Sequence, residues 1–102
     1  MRLEHYSTAK LRSQVLEIVG RYLDLNEYKV FFFGSRVRGT NSPLSDIDIG
    51  IDGPAPIPGE VRVKIADELD ELPTLYSFDV VDFKTVAEDF KRKTLQEVEH
   101  VN

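Results

Sequence analysis

The sequence contains no cysteine and no tryptophan, one methionine and two histidines in 102 residues. Without thiols there is no disulfide framework, no thiolate zinc site and no cysteine nucleophile. His5 and His100 stand near opposite ends of the chain, so a histidine-rich metal site or a Ser-His-Asp triad is not expected and both read as exposed. Long apolar runs are missing too. The longest, Val30-Phe31-Phe32-Phe33, falls far short of the roughly 20 residues a membrane helix needs. The opening residues, MRLEHYS, hold no apolar stretch of the export type. A cytoplasmic location without membrane contact is the expectation. Basic excess is also lacking: 13 Lys+Arg face 18 Asp+Glu, a net charge of −5. Proteins that live on phosphate-backbone contacts carry a Lys or Arg for each neutralised phosphate, so tight nucleic-acid binding by this chain alone is not expected.

What is present suffices for a packed core, with 41% apolar and 30% charged residues, and residues 1–102 read as one domain. Residues 8–23 have a helical period: Leu11, Val15, Ile18 and Tyr22 form a stripe that Leu16, Val19 and Leu23 widen, and Ser7 or Thr8 can cap it. Residues 29–33 are β-branched and aromatic and read as a central strand. Gly34-Ser35 ends that strand, one helical turn follows as far as Gly39, and Thr40-Asn41-Ser42-Pro43 has turn chemistry. From Asp46 to Asp52 the pattern alternates, with Ile47, Ile49 and Ile51 opposed to Asp46, Asp48, Gly50 and Asp52. That is a strand with one apolar and one acidic face. A proline-rich loop leads to a helix over residues 59–72 with Val61, Ile65, Leu69 and Leu72 inward. A third strand covers residues 78–83, and a final amphipathic helix is expected over residues 87–98 with Phe90, Leu95 and Val98 inward. The fold class is α/β (α+β): a small mixed sheet with helices packed on it. The first two strands are expected to be antiparallel, and the crossover through the second long helix suits a parallel neighbour.

Chemistry concentrates between Phe33 and Ile49. Gly34 permits close approach of the backbone to a ligand. Ser35 opens a helical turn whose first amides make an anion site, and Arg36 and Arg38 add positive charge. Asp46 and Asp48, two apart on a strand, project from one face within reach of a common cation, and an all-oxygen donor set favours a hard ion such as Mg²⁺. Each part alone has an ordinary explanation: a turn, surface charges, a solvated strand face in a chain with nine aspartates. Their order in one run is what distinguishes them. Farther on, Asp79 and Asp82 fall on opposite faces of a regular strand, so only one of them can join the pair.

This run resembles the polymerase β type of nucleotidyltransferase, and within it the minimal nucleotidyltransferases (MNT). The family pattern is a hydrophobic strand, Gly-Ser, about ten residues, Asp-hydrophobic-Asp, and a third carboxylate on a later strand. Here ten residues separate Ser35 from Asp46, Arg38-Gly39 and Ser45-Asp46-Ile47-Asp48 match the flanking text, and Phe78-Asp79-Val80-Val81 matches the later strand. The resemblance selects Asp79 over Asp82 as the third carboxylate and leaves Asp82 a bland role, as a cap for the final helix or a sheet-edge charge.

The resemblance implies a polymerase β palm-like core and metal-dependent transfer of a nucleoside monophosphate, AMP from ATP, to an acceptor hydroxyl. Asp46, Asp48 and Asp79 would be the catalytic, metal-holding residues for two Mg²⁺ ions, with Mn²⁺ as a substitute. Gly34, Ser35, Arg36 and Arg38 would bind the nucleotide, ATP or another NTP. The family commonly pairs with a helical HEPN protein for which the MNT chain serves as antitoxin, and that pairing is the expectation here. Two other readings remain open: a non-catalytic module that masks a helical partner, and a nucleotidyltransferase for small molecules. A homo-oligomer is also left open.

Overall fold

A computed structural model describes residues 1–102. Helix α1 (Thr8–Gly20) leads to strand β1 (Lys29–Phe33), the single turn α2 (Ser35–Arg38), strand β2 (Ile47–Asp52), helix α3 (Gly59–Asp70), strand β3 (Phe78–Asp82), the short helix α4 (Glu88–Thr94) and strand β4 (Glu99–His100). The sheet order is β3-β2-β1-β4. As expected, β1 is central and antiparallel to β2, and the α3 crossover makes β3 parallel to β2. The Ser7 hydroxyl accepts from the Lys10 amide at 3.1 Å and so caps α1.

The two faces of the sheet differ. On one, Val30, Phe32, Ile47, Ile49, Ile51 and Val80 pack against Leu11, Val15, Ile18 and Val19 of α1 and Ile65 and Leu69 of α3. On the other, Phe31, Phe33 and Phe83 form a small aromatic cluster with Val81, Val86 and Val98 at its border. Phe83 meets Phe31 and Phe33 edge-on at ring separations of 4.8 and 5.1 Å, a favoured aromatic geometry. That second face is otherwise lightly covered, and the acidic side chains of β2 emerge on it.

Several expectations are corrected. α1 stops at Gly20 and α3 at Asp70, short of residues 23 and 72; the backbone tightens there into three-residue turns, Tyr22 N to Val19 O and Leu72 N to Leu69 O. The final helix, expected over residues 87–98, is formed but shorter: it ends at Thr94, and tight turns carry the chain on to residue 97. α4 has seven residues, none fully buried; Phe90 is about half exposed, its ring 6.3 and 5.8 Å from those of Phe33 and Phe83, and Leu95 is 39% exposed. The chain then extends into β4, where Phe31 pairs with His100 and Phe32 with Glu99. β4 lies beyond the expected helix, where the open edge of β1 supplies its backbone partners. Glu99 thereby comes to the helix-covered face, where it pairs with Arg12 at 2.7 Å and with the Met1 amino group.

Asp82 is neither a helix cap nor an edge charge. It lies on the helix-covered face, buried, and its carboxylate accepts from the Ile57 and Lys84 amides, each at 2.9 Å. It thus ties the proline-rich loop to the turn that leaves β3. Replacing Asp82 by Ala strands two amides and should cost about 2–4 kcal/mol, read as a lower urea midpoint; a midpoint within error of the parent would refute this role.

Candidate functional site

The site grows from the pairing of β1, β2 and β3. Phe33 stands opposite Asp48 across the antiparallel pair, and Asp48 stands beside Asp79 across the parallel pair. Residues in such register share a face, so Asp48 and Asp79 project together. Asp46 precedes β2 by one residue, is exposed, and belongs to the same alternation. The buried Ile47 between them locks the register. The expected trio therefore converges on one end of the lightly covered face, and Asp82 falls on the other.

Gly34 completes the arrangement. Its φ of 82° and ψ of −160° lie where L side chains are strained, and a Cβ built on it would stand 2.1 Å from Asp48 Oδ2. Backbone and carboxylate touch only because that position has no side chain. Ser35 follows, half-buried, at the start of α2, and Gly39 closes the turn in the left-handed conformation with φ 79°. Gly50 makes room farther along the face, since a Cβ there would enter the rings of Phe31 and Phe83.

The two arginines part company. Arg36 is buried; its Nε donates to the Ser45 carbonyl at 2.9 Å, its Nη2 to the Pro43 carbonyl at 3.4 Å, and its guanidinium lies 4.7 Å from the Tyr76 ring centroid. Its guanidinium thus holds the loop that delivers Asp46. Arg38 is exposed and near enough to Asp48 to favour its ionised form. Tyr76, which supports Arg36, escaped sequence reasoning because nothing in its neighbourhood in the chain links it to residue 36.

The electrostatics are those of crowded acids. Desolvation, then Asp79, then Asp46 push the Asp48 carboxyl up from an ordinary 3.8 to about 6, against the pull of Arg38. At the far end of the same acidic stripe, Asp52 is paired with Lys91 of α4 at 3.3 Å, so the uncompensated charge is confined to Asp46, Asp48 and Asp79. As the side chains stand, no group of three or more acidic or histidine residues is gathered closely enough to hold a metal ion. The fit to a cation lies in the excess charge and the all-oxygen donors, which suit a hard divalent ion.

The comparisons with known proteins bear on this same stretch. The family model described as polymerase beta, nucleotidyltransferase, matches residues 21–101. The Haemophilus influenzae protein named "Probable protein adenylyltransferase MntA" is 30% identical over 88 residues, 84% of this chain and 77% of that protein. A crystal structure of a toxin-antitoxin with AMP-PNP superimposes with a TM-score of 0.74 at 18% identity, over 89% of this chain and 72% of the other. A tri-AMPylated Shewanella oneidensis HEPN toxin in complex with MNT antitoxin gives 0.69 at 14% identity, over 93% and 72%. At these identities the structural likeness is one of fold.

A raised carboxyl value means that the native state holds the proton more tightly than the unfolded chain does. Its stabilising effect is full below the ordinary 3.8 and is lost as pH rises through about 6. In metal-free buffer, Asp48→Asn should therefore melt above the parent at about pH 7.5, and the gap should close towards acid. A variant that melts below the parent at the higher pH would refute the crowding. Gly34→Ala should destabilise by about 1–3 kcal/mol through backbone strain and the clash with Asp48, measured by urea denaturation.

Proposed function

Since the chain belongs to the polymerase β-type nucleotidyltransferases, we propose that it transfers AMP from ATP to a hydroxyl of a helical HEPN-type protein and acts as that protein's antitoxin. The observation that carries the chemistry is the placement of Asp48 between Asp79 and Asp46 with Gly34 pressed against it. The choice of acceptor is supported by the relative named a protein adenylyltransferase and by the AMPylated HEPN toxin bound to an MNT antitoxin.

In this reading Asp46, Asp48 and Asp79 hold divalent cations, Mg²⁺ in the first instance. Bound there, such ions would neutralise charge on the phosphates and lower the pKa of the attacking hydroxyl. The chain's own residues do the rest. The Gly34–Ser35 turn brings backbone close to the polyphosphate, and Ser35 offers a hydroxyl beside it. Arg38 supplies the free positive charge. Arg36 positions Asp46 through the Ser45 carbonyl. Asp79, exposed on the edge strand β3, is the carboxylate of the three left open to an acceptor hydroxyl arriving from that edge. The hydroxyl oxygen attacks the α-phosphorus, the bond to the β-phosphate oxygen breaks, and pyrophosphate leaves.

With α-labelled ATP and Mg²⁺, label should appear on a co-purified HEPN-type protein, and Asp46→Asn should lower transfer by about two orders of magnitude. A stable complex without label would favour a masking module, and label on a small acceptor would favour a small-molecule enzyme. Millimolar Mg²⁺ or Mn²⁺ should also raise the melting temperature of the parent and not that of Asp46→Asn; an unmoved parent would remove the metal from the mechanism.

A further inference from the structure

The two most exposed large apolar side chains lie on different loops and line one cavity. Leu44 is 93% exposed and Leu75 fully so, whereas the others, led by Val63, are exposed by 51% or less. The cavity has a volume of about 700 Å³, with Pro43, Pro73 and Tyr76 in its wall. Leu44 precedes Asp46 by two residues, and Leu75 precedes Asp79 by four. β2 and β3 are parallel, so the loops that enter them meet at one end of the sheet, where those carboxylates emerge. At about 3.6 Å per residue at most, the leucines lie within about 7 and 14 Å of Asp46 and Asp79.

Neither leucine rides on a loose segment. The Leu44 amide donates to Ser42 Oγ at 3.3 Å, and Arg36 holds the next carbonyl, that of Ser45, at 2.9 Å. Beside Leu75, the Tyr76 hydroxyl accepts from the Glu4 and His5 amides at 3.1 and 3.2 Å. Single exposed leucines are ordinary. Two held in water by fixed turns on one cavity make a preorganised apolar surface, the kind that binds without an added ordering cost.

We infer that this cavity seats the acceptor protein, through an apolar face of the HEPN-type partner that flanks the acceptor hydroxyl. The inference rests on the transfer reading above and adds where the partner docks. Transfer requires a hydroxyl delivered at the Asp46–Asp79 end, so a surface bordering that end is covered by whatever carries the hydroxyl. The wall holds no Asp, Glu, Lys or Arg, which in a chain of net charge −5 offers no attraction to nucleic acid and selects an apolar contact.

The test uses the Leu44→Ser, Leu75→Ser double variant, with a HEPN-type protein that co-purifies with the chain as the probe. Both leucines are in solvent, so the melting temperature and the affinity for ATP should match the parent. Affinity for the partner, by calorimetry, should fall at least tenfold, and the KM for partner in label transfer should rise by the same factor. Unchanged affinity overturns the inference, as does a parent chain that fails to bind the partner. Parent dimers in sedimentation that the double variant abolishes would overturn it in favour of a second copy. A parent chain that binds through these leucines yet transfers no label would leave the seat standing and remove the transfer reading.

Discussion

The site depends on one register, the parallel pairing that sets Ile47 beside Phe78 and hence Asp48 beside Asp79. Neighbouring strands are about 4.8 Å apart, and like charges at that spacing oppose the pairing that brings them together. The hydrophobic face imposes it regardless. Ile47, Ile49 and Ile51 are fully buried against the helices and Val80 nearly so. A slip of one residue would turn the isoleucines to solvent and the aspartates into the core, a far larger loss than the repulsion between two half-solvated carboxylates. The acidic cluster is held in place by residues that never touch it.

The second face shows how little packing a site of this kind needs. Phe31, Phe33 and Phe83 cover one part of it, Lys91 neutralises Asp52 at another, and the remainder is left to Asp46, Asp48 and Asp79. Phe33, opposite Asp48, brings an apolar ring next to the carboxylate, in keeping with desolvation as the leading cause of its raised proton affinity. Gly34 and Gly50 serve the same face by omission, one yielding space to a carboxylate and the other to two rings. The fold's stability and the site's electrostatics therefore share residues, and neither can be changed on this face without the other.

Much of this was legible in the sequence because it follows from periods. The alternation from Asp46 to Asp52 prescribes a two-faced strand, the apolar run before Gly34 a central one, and the stripes of α1 and α3 their buried sides. The three-residue offset of Asp79 and Asp82 separates their faces. What escaped was set by contacts between distant segments. β4 exists because the edge of β1 is open, not because Glu99-His100 favours a strand. Asp82 found its partners in the Ile57 and Lys84 amides, and Arg36 found Tyr76; no local pattern announces either contact. Element ends slipped by two or three residues for the same reason, since tertiary packing decides where a fraying turn stops.

The fate of the two arginines bears on how an acidic chain would handle a polyphosphate. On a helical turn, residues two apart point about 200° from one another, so α2 cannot send Arg36 and Arg38 the same way. One is driven under the loop and the other stays in solvent. The site then has three carboxylates against one free guanidinium, in a chain already at −5. Such a field repels a bare nucleotide and attracts divalent cations. Under the proposed transfer chemistry, polyphosphate and cation gain by arriving together, because each relieves the repulsion the other would face alone. In that chemistry, selection for the metal complex of the nucleotide would follow from a charge imbalance that the helical geometry of Arg36-Val37-Arg38 helps to create.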